Sequence, residues 1–201
     1  MKEDINIIRN EWFKDHKATY TKLSDRVTSI DWKRDGSGFY AVRYVFDGDK
    51  LYITGDIGHA LYRLTWQGTP ASFKDVHYGY FNEKRQCSSR SFFEYNADAF
   101  DKEVDEYMKE IVFGLTETEC DMYEAMFQEM KLIMEQYPHN PEIQSFVMFN
   151  ACMEYENADK LDIDTEQADF LSKFGRIPSI SHLAYLEGLK MIAEQEAATV
   201  R

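Results

Sequence analysis

The sequence predicts an α+β protein, in which an N-terminal antiparallel sheet of about four to five strands is followed by about five helices packed on it. Two observations support this. Between Phe39 and Trp66, apolar runs with strand periodicity are separated by glycine–aspartate turns, which is typical of consecutive strands. Beyond residue 96 the apolar residues take helical spacing, which is typical of amphipathic helices.

The strand pattern is clearest at residues 39–46, where both alternating faces are largely apolar. A strand of this kind is expected in the interior of a sheet. Asp47, Gly48 and Asp49 then form a turn, because glycine accepts the positive φ of hairpin turns. Returning strands are predicted at residues 51–54 and 60–66, and β-branched runs at residues 19–21 and 27–30 predict earlier ones.

Apolar spacing predicts a short helix at residues 3–15 and a series of helices in the second half. The later helices are expected to begin near Asp98, Thr116, Asn140, Asp164 and Ser181. Thr116 and Glu119 have the spacing of a capping box. The helix they open carries a methionine at every fourth position, which fits a buried face or an adaptable partner groove. We favour the buried face for Met122, Met126, Met130 and Met134.

Charge divides the chain where the periodicity changes. Residues 1–96 carry 15 Lys and Arg and 13 Asp and Glu, a net charge of +2. Residues 97–201 carry 8 Lys and Arg and 23 Asp and Glu, a net charge of −15. We therefore place a boundary near residue 96, between a sheet-containing half and an acidic helical half, and expect one compact unit. An acidic half repels nucleic acid and attracts basic surfaces, although glutamate is also simply a good helix former.

Several function classes lack sequence support. No window approaches the ~18 apolar residues of a membrane span, and residues 1–12 contain no signal-peptide run. The three cysteines are too widely spaced in the sequence for a disulfide framework, namely Cys87, Cys120 and Cys152. We therefore expect free thiols in the reducing cytoplasm. The sequence from Gly55 to Gly58 lacks the Lys-Ser/Thr of a phosphate-binding loop, and we expect no cofactor.

The sequence contains residues for two further kinds of site. Asp56, His59, His77 and Cys87 would serve a metal-dependent hydrolase if they converged, but their spacing matches no zinc pattern and we expect no metal. Residues 73–95 interleave rings with cations, as in surfaces that bind single-stranded nucleic acid. Their net charge is only +1, and packing in the core is the alternative use of these rings. The residues assigned to nucleic-acid binding are Tyr78, Tyr80, Arg85 and Arg90.

The run YAVRYVFDGDKLYITGDIGHALYRLTW resembles an uncharacterised group of proteins encoded by phages and prophages. In that group a strand is followed by a turn–strand element of the pattern GDxGxAxY, represented here by Gly55, Asp56, Gly58, Ala60 and Tyr62. HYGYFNEKRQCSS and LEGLKMIAEQ are similar to the distal segments of the group. The resemblance implies an accessory protein of a mobile element, expressed in the cytoplasm of a bacterium. Such proteins often bind and block a host defence complex, as anti-CRISPR proteins do.

These observations together favour a non-enzymatic binding protein, and no catalytic residue is assigned. Carboxylates of the helical half would take the place of nucleic-acid phosphates on a basic host protein, such as a CRISPR nuclease. No membrane partner is expected, and direct binding of nucleic acid is the alternative. The first residues expected to contact the partner flank one helix stripe and are Asp101, Asp105, Glu106 and Glu110.

Overall fold

The computed structural model describes residues 1–137 and 140–199 and confirms the α+β class. In these residues the helices are α1 (Lys2–Ile7), α2 (Tyr78–Glu83), α3 (Ala97–Ile111), α4 (Glu117–Gln136), α5 (Pro141–Glu154), α6 (Thr165–Leu171) and α7 (Ile180–Thr199). The strands are β1 (Lys17–Lys22), β2 (Val27–Lys33), β3 (Val42–Asp47), β4 (Lys50–Gly55), β5 (Ala60–Arg63), β6 (Arg85–Ser88), β7 (Phe93–Tyr95) and β8 (Arg176–Pro178).

Contacts divide the chain into two compact units. The first, which we call the sheet unit, comprises Met1–Phe92 and the chain from Pro178 onward. The second, the helical unit, comprises Phe93–Ile177. The chain therefore leaves the sheet unit once and returns to it, and α7 belongs to the sheet unit although it follows the acidic helices in sequence.

The sheet unit contains one antiparallel meander, in which β1 to β6 lie side by side in chain order. The predicted antiparallel sheet is confirmed, with six strands instead of four to five. The additional strand is β6, from the aromatic segment 73–95. It lies at the edge of the sheet, and a register irregularity opposite Leu61 and Tyr62 interrupts its pairing with β5. Its sequence consequently shows no regular alternation.

Only one face of β3 is buried. Arg43, on the other face, is exposed and forms an ion pair with Asp31 of β2, Nε to Oδ1 at 2.6 Å. β3 is thus an interior strand, as predicted, but it does not carry apolar packing on both sides. The buried residues of this strand are Val42, Tyr44 and Phe46.

Helix α7 shares a single core cluster with the sheet, and eleven of its residues are buried. The closest approach is at Gly188, where an added Cβ would lie 2.2 Å from the Tyr44 hydroxyl. That hydroxyl donates a hydrogen bond to the carbonyl of Tyr185 at 3.0 Å. The absence of a side chain at Gly188 therefore lets the helix approach the sheet closely.

The helical unit has a core of its own. Buried residues of α3, α4, α5 and α6 form a second cluster, separate from that of the sheet. Of the predicted later helices, α7 shares the core of the sheet, whereas these four bury their apolar faces against one another. The methionine stripe of α4 belongs to this cluster, with Met126, Met130 and Met134 buried and Met122 half-buried. Its predicted use as a buried face is confirmed.

Helix starts in this unit follow the capping chemistry of the sequence. The predicted capping box of α4 is present, since the Glu119 amide donates to Thr116 Oγ1 at 3.3 Å and the Thr116 amide donates to Glu119 Oε2 at 2.7 Å. α3 begins two residues earlier than expected. Its cap is Asn96, whose Oδ1 accepts from the Ala99 amide at 2.9 Å, and Asp98 lies in the first turn.

Candidate functional site

The acidic residues are concentrated in the helical unit. Residues 93–177 carry 21 Asp and Glu and 6 Lys and Arg, a net charge of −15, and the rest of the chain carries +2. Among the described residues, cations of this unit pair with three of its carboxylates. These pairs are Lys102–Glu106, Lys131–Asp101 and Lys173–Asp169. Most carboxylates of the unit thus have no internal cation.

A groove of about 760 Å³ runs between α3 and α4 on the surface of the helical unit. It combines an apolar floor with acidic edges. The apolar side chains that line it are Val104, Met108, Val112, Ala125 and Phe127. The acidic side chains that line it are Asp101, Asp105, Asp121 and Glu124, and the remaining residues are Lys109, Cys120 and Gln128.

Helical periodicity places the lining residues of each helix on one side of that helix, so α3 and α4 form one wall each. On α3, Asp101, Asp105 and Met108 recur at three- and four-residue spacing and so face the same side. The adjacent side of α3 faces the core, where the ring of Tyr107 packs edge-on against Phe127 of α4 at 6.2 Å between centroids. The packing of the two helices therefore fixes the position of the groove.

Two of the four residues predicted to contact a partner line this groove. They are Asp101, whose Oδ2 lies 2.6 Å from Lys131 Nζ, and Asp105, which is exposed. Glu106 and Glu110 are exposed on α3 but do not line the groove, and Glu106 lies 3.7 Å from Lys102.

Sequence reasoning missed the acidic residues that α4 contributes, Asp121 and Glu124. They are three residues apart and lie off the methionine stripe, so both face away from the core. On α3, carboxylates beside an apolar stripe had been predicted to contact a partner on the basis of the same pattern. What the sequence lacked was the pairing of α3 with α4, which brings the two acidic rows to one groove.

The aromatic residues predicted to bind nucleic acid are engaged within the sheet unit. The Tyr78 hydroxyl donates to the carbonyl of Phe92 at 2.9 Å, and the side chain is half-buried. The Tyr80 ring is exposed and stacks on Trp66 at 6.0 Å, with Lys84 Nζ 4.4 Å from its centroid. Neither ring is therefore an unoccupied stacking platform.

The two arginines of the same set differ. Arg85 is half-buried, with its guanidinium 4.1 Å from the ring centroid of Phe92 and its Nε donating to Asn82 at 3.1 Å. Arg90 is exposed. Direct binding of nucleic acid by this segment stays a prediction.

The GDxGxAxY element is a structural turn. A Cβ on Gly55 would lie 2.1 Å from the carbonyl oxygen of Ala41, so no other residue fits there. At Gly58, φ is +123° and a Cβ would lie 2.7 Å from the Tyr185 hydroxyl, which donates to the carbonyl of Ile57 at 3.2 Å. The element thereby attaches the β4–β5 turn to α7.

No metal site emerges from the described part of the chain, where no three His, Cys, Asp or Glu are placed to share an ion. Asp56, His59, His77 and Cys87 are all exposed and do not form such a group. The carboxylate of Asp56 instead accepts from the Tyr40 amide at 2.8 Å, as a turn residue does. The geometry that a metal-dependent hydrolase would need is not present at these residues.

Three buried side chains of the sheet unit, Trp32, Tyr62 and His182, have no hydrogen-bond partner for their polar atoms in the described chain, and two of these groups can titrate. Burial, and then the charge of Arg85, lowers the pKa of His182 to about 4. Burial is also the main cause that raises the pKa of Tyr62. Both groups are consequently neutral at physiological pH.

No known protein family matches the chain, and no similar curated protein or solved structure was found. None of the helices in the described ranges is long and apolar enough to cross a membrane.

Proposed function

We propose that this protein is a non-enzymatic binding protein whose helical unit docks on a basic, nucleic-acid-binding surface of another protein. The observation that carries this proposal is the segregation of charge. The helical unit carries a net charge of −15, whereas the rest of the chain carries +2. Few of its described carboxylates form ion pairs within the unit. Exposed carboxylates without cations favour a partner that supplies them.

Arginine and lysine on such a partner would form charge-assisted hydrogen bonds with these carboxylates, as they do with phosphates. Complementary potentials also accelerate association, because they steer the two proteins together before contact. The acidic edges of the groove bring together Asp101 and Asp105 from α3 with Asp121 and Glu124 from α4.

The resemblance to phage and prophage proteins suggests the class of partner. A host defence nuclease of the CRISPR type holds its nucleic acid in a positively charged channel, which an acidic protein can occupy in competition. The proposed activity is thus inhibition by occupying that channel.

Reversing charges on α3 tests this proposal. We expect Asp105→Lys, Glu106→Lys and Glu110→Lys together to weaken capture of basic, nucleic-acid-binding proteins from a nuclease-treated bacterial lysate by at least about tenfold, roughly 1.4 kcal/mol. All three carboxylates are exposed, so the fold should persist. Captured proteins are identified by mass spectrometry, purified, and titrated against both forms.

The matched control reverses three exposed carboxylates of the sheet unit, Glu11→Lys, Asp15→Lys and Asp75→Lys. It changes the net charge equally and should leave capture intact. Capture that survives ~1 M NaCl, where charges are screened within about 3 Å, and that the α3 reversal does not reduce would overturn the proposal.

A further inference from the structure

The groove between α3 and α4 has the length of a helix-binding site. Its α3 wall runs from Asp101 to Val112, which at 1.5 Å per residue is about 16 Å, or three helical turns. Amphipathic helices that lie in grooves place their anchors over this distance, at i, i+3 or i+4, and i+7. A flat patch or a deep cavity would not accommodate a helix along its length.

The lining of the groove combines apolar and acidic side chains, which suits an amphipathic helix. Its α3 side contributes the half-buried Val104 and Met108, and the exposed Val112 follows the end of that helix. Phe113, the next residue along the chain, is 96% exposed and does not line the groove. Carboxylates stand on both walls, Asp105 among them on α3 and Glu124 on α4.

We infer that this groove binds a basic amphipathic helix of the partner protein, with the apolar stripe of that helix on the floor and its arginine or lysine residues against both acidic walls. This inference rests on the proposed function, to which it adds the kind of partner segment. The charge of the lining selects this occupant, because four carboxylates face one cation, Lys109. Nucleic acid and acidic segments are repelled by the same lining.

The four carboxylates are not equivalent. Lys131 lies 2.6 Å from Asp101 and offsets its charge, so the positions open to a partner cation are Asp105, Asp121 and Glu124. A helix with cations on both flanks can reach all three at once, whereas a helix with cations on one flank reaches only one wall. The partner helix is therefore expected to be basic on both sides of its apolar stripe.

Titration of the whole chain with defined peptides tests this inference. The probe is a helical peptide of ~18 residues in which leucines form one stripe and arginines flank it on both sides. A peptide of the same composition, scrambled to abolish the stripe, is the comparison. We expect the striped peptide to bind at least about tenfold more tightly, measured by fluorescence anisotropy at low salt.

A groove-filling variant provides the second measurement. Ala125→Arg adds a long cation at an exposed position of α4 that lines the groove beside Asp121, and should weaken binding of the striped peptide at least about tenfold. Gln136→Arg makes the same charge change at an exposed position of α4 outside the groove, and should have little effect.

Two results would separate the helix-in-groove inference from the proposed acidic docking surface. Equal, salt-sensitive binding of the striped and scrambled peptides, with equal effects of Ala125→Arg and Gln136→Arg, would overturn the helix-in-groove inference while leaving the acidic docking surface standing. Absence of salt-sensitive binding by either arginine peptide would overturn both.

Discussion

At the scale of single residues, His182 is the most unusual group in the molecule. It is 1% exposed, and neither of its ring nitrogens has a hydrogen-bond partner among the described residues. Burial, followed by the charge of Arg85, lowers its pKa to about 4, against an ordinary value of 6.5. The folded protein therefore holds a neutral imidazole that the unfolded chain would protonate more readily.

This difference predicts a loss of stability in acid. Because the pKa is lower in the folded state, the unfolded chain binds more protons between about pH 6.5 and pH 4. The contribution of His182 is present above pH 6.5 and is lost as the pH falls, by about 2 kcal/mol at pH 5 and about 3 kcal/mol below pH 4. Substitution of His182→Leu removes the group and should flatten this part of the pH dependence, measured by urea unfolding.

The matched control for this prediction is His77→Leu, which removes an exposed histidine from the same unit. Its unfolding free energy should follow that of the unmodified protein across the whole pH range. Parallel pH profiles for the His182 variant and the unmodified protein would rule out a buried neutral imidazole at this position.

Burial of individual residues was the hardest property to predict. The sequence shows an apolar stripe on α7 that includes Leu183, Leu186 and Leu189. In the structure every residue from Ser181 to Leu189 is buried, because this part of the helix is surrounded by its own unit on all sides. Glu187 lies off this stripe and looks solvated in sequence, yet it is buried. Periodicity identifies the face that is always buried, but not a helix that is buried all round.

At the scale of elements, the contact of α7 with the sheet depends on Gly188. Glycine in the middle of a helix normally costs up to about 1 kcal/mol relative to alanine. Here the position next to it is filled by the hydroxyl and ring of Tyr44, with the ring carbon Cζ 3.3 Å from an added Cβ. Close packing of the two elements outweighs the intrinsic helix preference.

We therefore expect Gly188→Ala to destabilise the protein by about 1–3 kcal/mol, the usual cost of overpacking a core. Gly79→Ala is the control, because Gly79 lies in α2 with nothing within 4 Å of an added Cβ, and it should be neutral or stabilising. Urea unfolding measures both changes.

A double variant separates the clash from other effects. Tyr44→Phe removes the atom that lies 2.2 Å from the added Cβ, and should recover part of the stability lost in Gly188→Ala. Strictly additive effects of the two substitutions would show that the clash with the hydroxyl is not the cause.

The existence of elements was more predictable than their partners. Thr116 and Asn140 marked helix starts in the sequence, and both act as caps in the structure. These signals are local, because a cap is satisfied by amides within one turn. The edge strand β6 and the pairing of α3 with α4 depend on contacts between distant residues. Local patterns do not contain them, and the second wall of the groove was missed for this reason.

At the scale of the whole molecule, the two cores can be observed separately. All three tryptophans, Trp12, Trp32 and Trp66, lie in the sheet unit. Most residues in α-helices, by contrast, belong to α3–α6 of the helical unit. Tryptophan fluorescence therefore reports the sheet unit, and helical circular dichroism reports mainly the helical unit.

Charge segregation makes a prediction that these two probes can test. Self-repulsion within a unit of net charge −15 opposes its folding, and salt screens that repulsion. Raising NaCl from ~10 mM, where charges interact over about 30 Å, to ~1 M should raise the urea midpoint seen by circular dichroism more than the midpoint seen by fluorescence. Equal shifts of the two midpoints would mean that the acidic side chains do not repel one another appreciably.

The sequence predicted the contrast of charge at this scale, but not the path of the chain. The change of composition and periodicity near residue 96 lies close to the point where the chain enters the helical unit at Phe93. Its return at Pro178 leaves no comparable mark, because α7 continues the helical pattern of the residues before it. Helices of two units look alike in sequence when both are amphipathic.

The return of the chain at Pro178 has a consequence for synthesis on the ribosome. The strands of the sheet emerge first, but α7, whose buried residues complete their core, emerges last. At about 5–20 residues per second, translation of the intervening helical unit takes roughly 4–17 s. During that interval the meander lacks α7, which supplies most of the helical residues in its core, whereas the helical unit has every residue of its own core once Ile177 has been made. Chaperones or nascent-chain collapse would have to shield the strands until α7 emerges.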